Sequence, residues 1–262
     1  MNMHANYHTH TFRCKHAAGD VDDYCEMALV EGLKVIGISD HTPFPDNRWL
    51  AIRMNILELD EYSKSVEIAR KKFAQRGLKV YKGLECEYCP EFDSFYSNTL
   101  LKDYQFDYLV LGSHFFIQNG DYRCSYGEIF DKESLSAYTQ HLIKAMRTGF
   151  FKFVAHPDLF GNSYLDWDQN CIDASILIIE TAVELDIPLE INACGIRKGK
   201  MNFSNTIRYQ YPLLGFWELA AKYGAKVIVN SDAHTPEDIK DSVGIAYDIV
   251  KKFKLNLVEL NL

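Results

Sequence analysis

Short apolar runs alternate along this chain with longer stretches of helical periodicity. The apolar runs predict strands at 6–10, 34–39, 79–85, 107–112, 152–155, 188–192 and 226–230. "KVIGIS" and "KVIVNS" are nearly continuous in apolar residues, the pattern of parallel strands covered on both faces. Helical periodicity fills the gaps. Asp20 is placed to cap "VDDYCEMALVEGL", with Gly32 as its stop, and "ILELDEYSKSVEIARKKFAQRG" ends in the same way at Gly77. Further helices are predicted over 132–148, 173–185, 213–223 and 236–252. About seven strand–helix units joined by right-handed crossovers imply an α/β fold on a parallel sheet. The Gly-rich turn that opens a Rossmann fold is absent, and no linker, repeat or low-complexity tract interrupts the chain. The expectation is a single barrel-like domain over residues 1–262.

The unusual residues fall at the strand ends. His8 and His10 stand i, i+2 on the first predicted strand, so both leave the same face. Asp40 and His41 follow the second strand, Glu85 and Glu87 close the third, His114 follows the fourth and His156 the fifth. Asn192 and "CGIRKGK" follow the sixth; Asp232 and His234 follow the seventh. Of 9 histidines, only His4 and His141 lie elsewhere, His16 sitting just past the first strand. In a parallel barrel these ends converge on one mouth, where active sites form. A lone histidine there is usually a hydrogen-bonded structural residue. Seven, with carboxylates among them, would cost several kcal/mol per charged group if left uncompensated. Divalent cations supply that compensation, and imidazole with carboxylate selects Zn, Mn or Fe. Nine donors exceed the roughly four or five that one zinc accepts, which points to several ions with Glu85 as a bridge. Such clusters hydrolyse phosphate esters.

Composition narrows the alternatives. With 47% hydrophobic and 24% charged residues the chain has an ordinary globular balance. A formal charge of −8 disfavours nucleic-acid backbones and anionic membranes as partners. No stretch approaches the roughly 20 apolar residues of a membrane span, and residues 1–7 lack a signal-peptide pattern, so the cytoplasm is expected. The 7 cysteines are odd in number and irregularly spaced. Cys86 and Cys89 form a C-x-x-C without a second pair, which favours ordinary buried thiols over a redox or thiolate–metal site.

Taken in order, "HTH", "SDH", "GLECE", "GSH", "AHPD" and "NSDAH" resemble the polymerase-and-histidinol-phosphatase (PHP) family. "HTHTFRCKH", "GLECEY", "GSHFF" and "LEINACGIRKG" are similar to its histidinol-phosphate phosphatase branch. The resemblance implies a distorted (β/α)7 TIM-like barrel with three divalent metal ions. It assigns His8, His10, Glu85 and Asp232 to the first ion. Glu85, His114 and His156 would hold the second, and His16, His41 and His234 the third. Arg197 occupies the family's phosphate-binding position. The implied reaction takes L-histidinol phosphate to L-histidinol and phosphate in histidine biosynthesis, by attack of a metal-bridging hydroxide on phosphorus. Asp232, or Asp232 with His234, would return a proton to the leaving alkoxide. Glu87 departs from the family, which often has Asp there. Alternative readings are action on another small phosphomonoester, a nucleic-acid 3′-end exonuclease, and a non-catalytic metal-binding scaffold.

Other residues stay open at this level. Asp40 either orients a ligating histidine or caps a helix. Glu87 either meets a cationic group of the substrate or is a solvated charge. Phe44, Trp49, Phe115 and Phe116 either wall a substrate pocket or pack the core, and the Pro-rich segment 41–49 is placed to act as a lid.

Overall fold

The computed structural model describes residues 3–203 and 206–262. The chain divides into two compact units, one of Met1–Val110, Asn230–Val243 and Asn261–Leu262, the other of Leu111–Val229 and Gly244–Leu260. Their segments interleave, so no single cut in the sequence separates them.

The first unit holds strands β1 (Ala5–Asn6), β2 (Val35–Ile38), β3 (Lys79–Cys86) and all but the last residue of β4 (Tyr108–Leu111), hydrogen-bonded in that order. The β1–β2 and β2–β3 pairs are parallel, with Asn6 opposite Ile36 and Ile38 opposite Lys82. Helix α1 (Val21–Val30) starts where expected, because Asp20 and Asp23 form a reciprocal capping box. Such a cap is worth about 1 kcal/mol. Helix α2 (Leu59–Ala74) follows a 3-10 turn, Ile56–Glu58, capped by Asn55. A π-helical stretch, Phe95–Asp103, was not visible in the periodicity. Between the strands, fully buried Tyr108 donates its hydroxyl to the Tyr7 carbonyl at 2.7 Å. Gly37 and Gly83 leave room for its ring; a methyl group at either position would overlap it.

The second unit opens with an antiparallel hairpin, β5 (Phe115–Gln118) and β6 (Asp121–Cys124). Helix α3 (Lys132–Met146), β7 (Phe153–Val154), α4 (Gln169–Glu184), β8 (Leu189–Asn192) and α5 (Ala193–Arg197) follow. A second antiparallel pair, β9 (Lys200–Phe203) and β10 (Thr206–Tyr209), precedes α6 (Leu214–Tyr223), β11 (Lys226–Asn230), α7 (Val243–Phe253) and β12 (Asn256–Leu257). Strands β7, β8, β11 and β12 are hydrogen-bonded in that order, and β7–β8 and β11–β12 are parallel.

Several boundaries differ from the sequence reading for local reasons. Helix α4 begins four residues early because Asp168 accepts from the Cys171 N–H at 2.9 Å. The expected helix over 236–252 is split. Thr235 and Asp238 close a separate turn at Pro236–Ile239, and Ser242 adopts a left-handed φ of 62° before α7 starts. Strand β12 is an eighth parallel strand that the sequence reading did not include.

Candidate metal centre

In the first unit β1 stops at Asn6, short of the predicted end at residue 10. Side chains take over the ladder there: Tyr7 N–H donates to Asn230 Oδ1 at 2.8 Å, and Ser231 N–H to Asn6 Oδ1 at 3.2 Å. His10 N–H then donates to the Ala233 carbonyl at 2.9 Å, and Thr9 bridges Ala233. The 5–10 and 230–234 segments therefore run side by side beyond the regular strand. His8 and His10 still face one cluster, their rings 5.1 Å apart.

That cluster is buried. His8 Nε2 lies 3.4 Å from Glu85 Oε2 and 3.6 Å from Asp232 Oδ1; His10 Nε2 lies 3.5 Å and 3.1 Å from the same two oxygens. His8 and His10 are 0% exposed and Glu85 1%. His41 Nδ1 stands 3.0 Å from Glu85 Oε2, held by the bridge between residues 41 and 85. The His10 ring stacks on His234 and tilts against His41, both at 4.4 Å. His16 completes the ring cluster, 5.3 Å from His41 and 4.9 Å from His234. All seven expected donors of this unit are thus brought together. Asp232 takes a left-handed φ of 49°, a backbone that costs a non-glycine residue about 1–2 kcal/mol and needs surrounding structure to hold it.

The electrostatics follow from burial and crowding. Burial by itself lowers the His10 pKa, but Asp232, Asp40 and Glu85 override it and raise it to about 9. Asp232 is pushed up by burial yet held well below the usual carboxylate range by His8, His10 and His234. His234 falls to about 4, through burial and then repulsion from His10. Neither ring nitrogen of His10 makes a well-formed hydrogen bond among the described residues. Leaving such groups buried is costly unless something coordinates them. The donor set, imidazoles around shared carboxylates, fits divalent metal ions.

Residues around the cluster resolve several open readings. Asp40 caps no helix. It accepts from Thr11 and from the His41 backbone N–H, and its Oδ1 lies 3.8 Å from His10 Nδ1, where its charge acts on the ring without a hydrogen bond. Glu87 is not a solvated charge: it is 1% exposed and lies 3.5 Å from the fully buried Arg53. Arg53 also donates to the Thr42 carbonyl at 3.0 Å and lies against Phe44 and Trp49, which pins the segment expected to act as a lid. Phe44 and Phe116 are fully buried core residues. Cys86 and Cys89 are both fully buried. Cys14 was not singled out in the sequence, yet its sulfur lies within metal-ligand reach of His16 and His234. Burial pushes that thiol up to about 12, so it is a neutral neighbour in the metal-free protein.

The second unit carries His114, His156 and Arg197. The two histidine rings lie 4.8 Å apart, with Tyr126 stacked on His114 at 5.8 Å and Tyr211 edge-on to His156 at 5.9 Å. His156 has a left-handed φ of 30°. Its backbone N–H donates to Glu190 Oε2 at 3.1 Å. Arg197 ends α5, whose first turn Asn192 caps by accepting from Gly195 N–H at 3.2 Å. Nearby, Asp158 is driven up to about 7 by burial, although Leu213 N–H and Trp217 Nε1 hydrogen-bond to it.

Among known proteins, the family model described as PHP domain matches residues 6–193. A Deinococcus radiodurans protein named "Probable histidinol-phosphatase" is 28% identical over 88% of this chain and 86% of its own length. The structure of a Listeria monocytogenes protein assigned as the histidinol phosphatase hisK matches with a TM-score of 0.75 and 21% identity, over 92% of this chain and 99% of its own. A Lactococcus lactis histidinol phosphate phosphatase, solved with zinc, L-histidinol and phosphate, matches at a TM-score of 0.73 and 16% identity, over 97% and 95%. These likenesses bear out the α/β, TIM-like fold class.

Proposed function

This chain belongs to the PHP domain family, as the match across residues 6–193 shows, and from that premise we propose that it is a histidinol phosphatase, hydrolysing L-histidinol phosphate to L-histidinol and phosphate. The observation that carries the reading is the buried His8–His10–Glu85–Asp232 cluster, in which the His10 nitrogens lack well-formed hydrogen bonds. The names borne by the Deinococcus and Lactococcus proteins support the substrate.

In this reading the chain acts as one catalytic domain in the cytoplasm and holds three divalent ions, Zn, Mn or Fe. His8, His10, Glu85 and Asp232 hold the first. Glu85, His114 and His156 hold the second, following the order of the family motifs, and His16, His41 and His234 hold the third. Bound there, divalent ions neutralise phosphoryl oxygens and supply water of lowered pKa. The planar fork of Arg197 pairs two phosphate oxygens. Asp232, alone or with His234, moves a proton to the leaving alkoxide. Asp40, 3.8 Å from His10 Nδ1, adds negative charge beside that ring. The net charge of −8 weighs against a nucleic-acid substrate.

The test is phosphate release by the metal-loaded protein from L-histidinol phosphate, from a panel of other phosphomonoesters and from a single-stranded oligonucleotide. A clear preference for L-histidinol phosphate is expected. Equally poor turnover of all of them overturns the assignment, and metal analysis of the same sample tests the count of three.

A further inference from the structure

Glu190 is a carboxylate at 0% exposure on β8, and neither the metal assignment nor the phosphate site uses it. Its Oε2 accepts two hydrogen bonds from the site itself. One comes from the backbone N–H of His156 at 3.1 Å, the other from Asn192 Nδ2 at 2.8 Å. The two donors belong to different parts of the machinery. His156 is an expected metal ligand whose φ of 30° is a conformation that non-glycine residues keep only under external restraint. Asn192 caps α5 through its Oδ1, and Arg197 stands at the other end of that helix.

We propose that Glu190 is a positioning residue that joins the metal-binding His156 to the phosphate-binding Arg197 through one carboxylate oxygen, setting their spacing; this rests on the ligand roles given to those two residues above. One arm fixes the backbone of His156. The other fixes the Asn192 amide so that its oxygen points at the first turn of α5. A strand-borne side chain suits this task, because β8 is fully buried and its side chains are held by packing. Only acceptance at Oε2 is required, so a neutral amide that keeps one oxygen in place serves as well as the carboxylate.

The test compares the full-length wild type with Glu190→Gln, Glu190→Ala and Asn192→Ala. Retained zinc is measured after gel filtration, and inorganic phosphate binding by calorimetry; neither needs turnover. Glu190→Ala is expected to weaken both zinc retention and phosphate affinity by about 10- to 100-fold, the range for partners that orient metal ligands. Glu190→Gln should stay within about threefold of wild type in both. Asn192→Ala cuts the arm to α5 and leaves the His156 N–H on Glu190, so it should keep wild-type zinc and lose phosphate affinity. Should Glu190→Ala fail to fold, the other two variants decide the matter: wild-type phosphate affinity in Asn192→Ala, or loss of zinc and phosphate binding in Glu190→Gln, overturns the proposal. Wild-type zinc and phosphate binding in Glu190→Ala overturns the proposal, as does a Glu190→Gln protein as defective as Glu190→Ala. A wild type that binds zinc and phosphate yet leaves L-histidinol phosphate intact refutes the substrate assignment and leaves this proposal standing.

Discussion

His10 sits fully buried among three carboxylates, Asp40, Glu85 and Asp232. With a folded pKa near 9, above the ordinary histidine value, it is protonated at neutral pH in the metal-free protein. Its ion pairing stabilises that form fully below about 6.5, and the contribution is lost as pH rises through about 9. A metal ligand must be neutral, so zinc uptake at pH 7 should expel the His10 proton, and that share of the release should fade above pH 9, leaving only what metal-bound water gives up. Calorimetry in buffers of different ionisation enthalpy measures this. A buffer-independent enthalpy at pH 7 removes His10 from the ligand set. Asp232→Asn should lower turnover by about 10²- to 10⁴-fold, the scale of general acid–base catalysis, while metal content falls far less; an active variant ends that assignment. The Glu87–Arg53 pair is wholly buried. Removing its carboxylate with Glu87→Ala should cost about 3–5 kcal/mol in chemical denaturation, because it strands a buried guanidinium.

The elements explain why some of the site was legible and some was not. Strand ends followed from apolar runs, and His41, Glu85, His114, His156, Asp232 and His234 do close or follow strands of the sheet. The short β1 was over-extended, since side chains of Asn6, Asn230 and Ser231 replace its backbone ladder and only tertiary contact reveals that. The hairpin β5–β6 carries a local signal in Asn119-Gly120, both at positive φ, which form the turn between Gln118 and Asp121. Tyr108 shows the opposite case. Nothing local in "FDYLVLG" says that its ring needs Gly37 and Gly83. Gly37→Ala should therefore destabilise the fold by about 1–3 kcal/mol. The Gly37→Ala, Tyr108→Phe double variant should lose less than the sum of the two singles, and strict additivity in denaturant midpoints would mean the overlap is relieved elsewhere.

At the scale of the molecule, bound metal and fold stability are linked by mass action. Ions at about 1,000 times their dissociation constant add roughly 4 kcal/mol to a fold that binds them only when native. Chelation should lower the melting temperature accordingly, with recovery on adding zinc back. An unchanged transition would show that the donors of the first unit do not hold ions at the protein's working concentration. No helix among the described residues is long and apolar enough to cross a membrane.

The sequence by itself determined the parallel α/β pattern, the family and the set of candidate donors. Those depend on residue type and on order along strands, and both are printed in the chain. Tertiary structure alone decided how the donors are tuned and held. Thr11 and His10 on Asp40, Arg53 against Glu87, and the His156 amide on Glu190 all join residues far apart in sequence. Such contacts and the desolvation around them are set by which segments the fold lays together, and no periodicity encodes them.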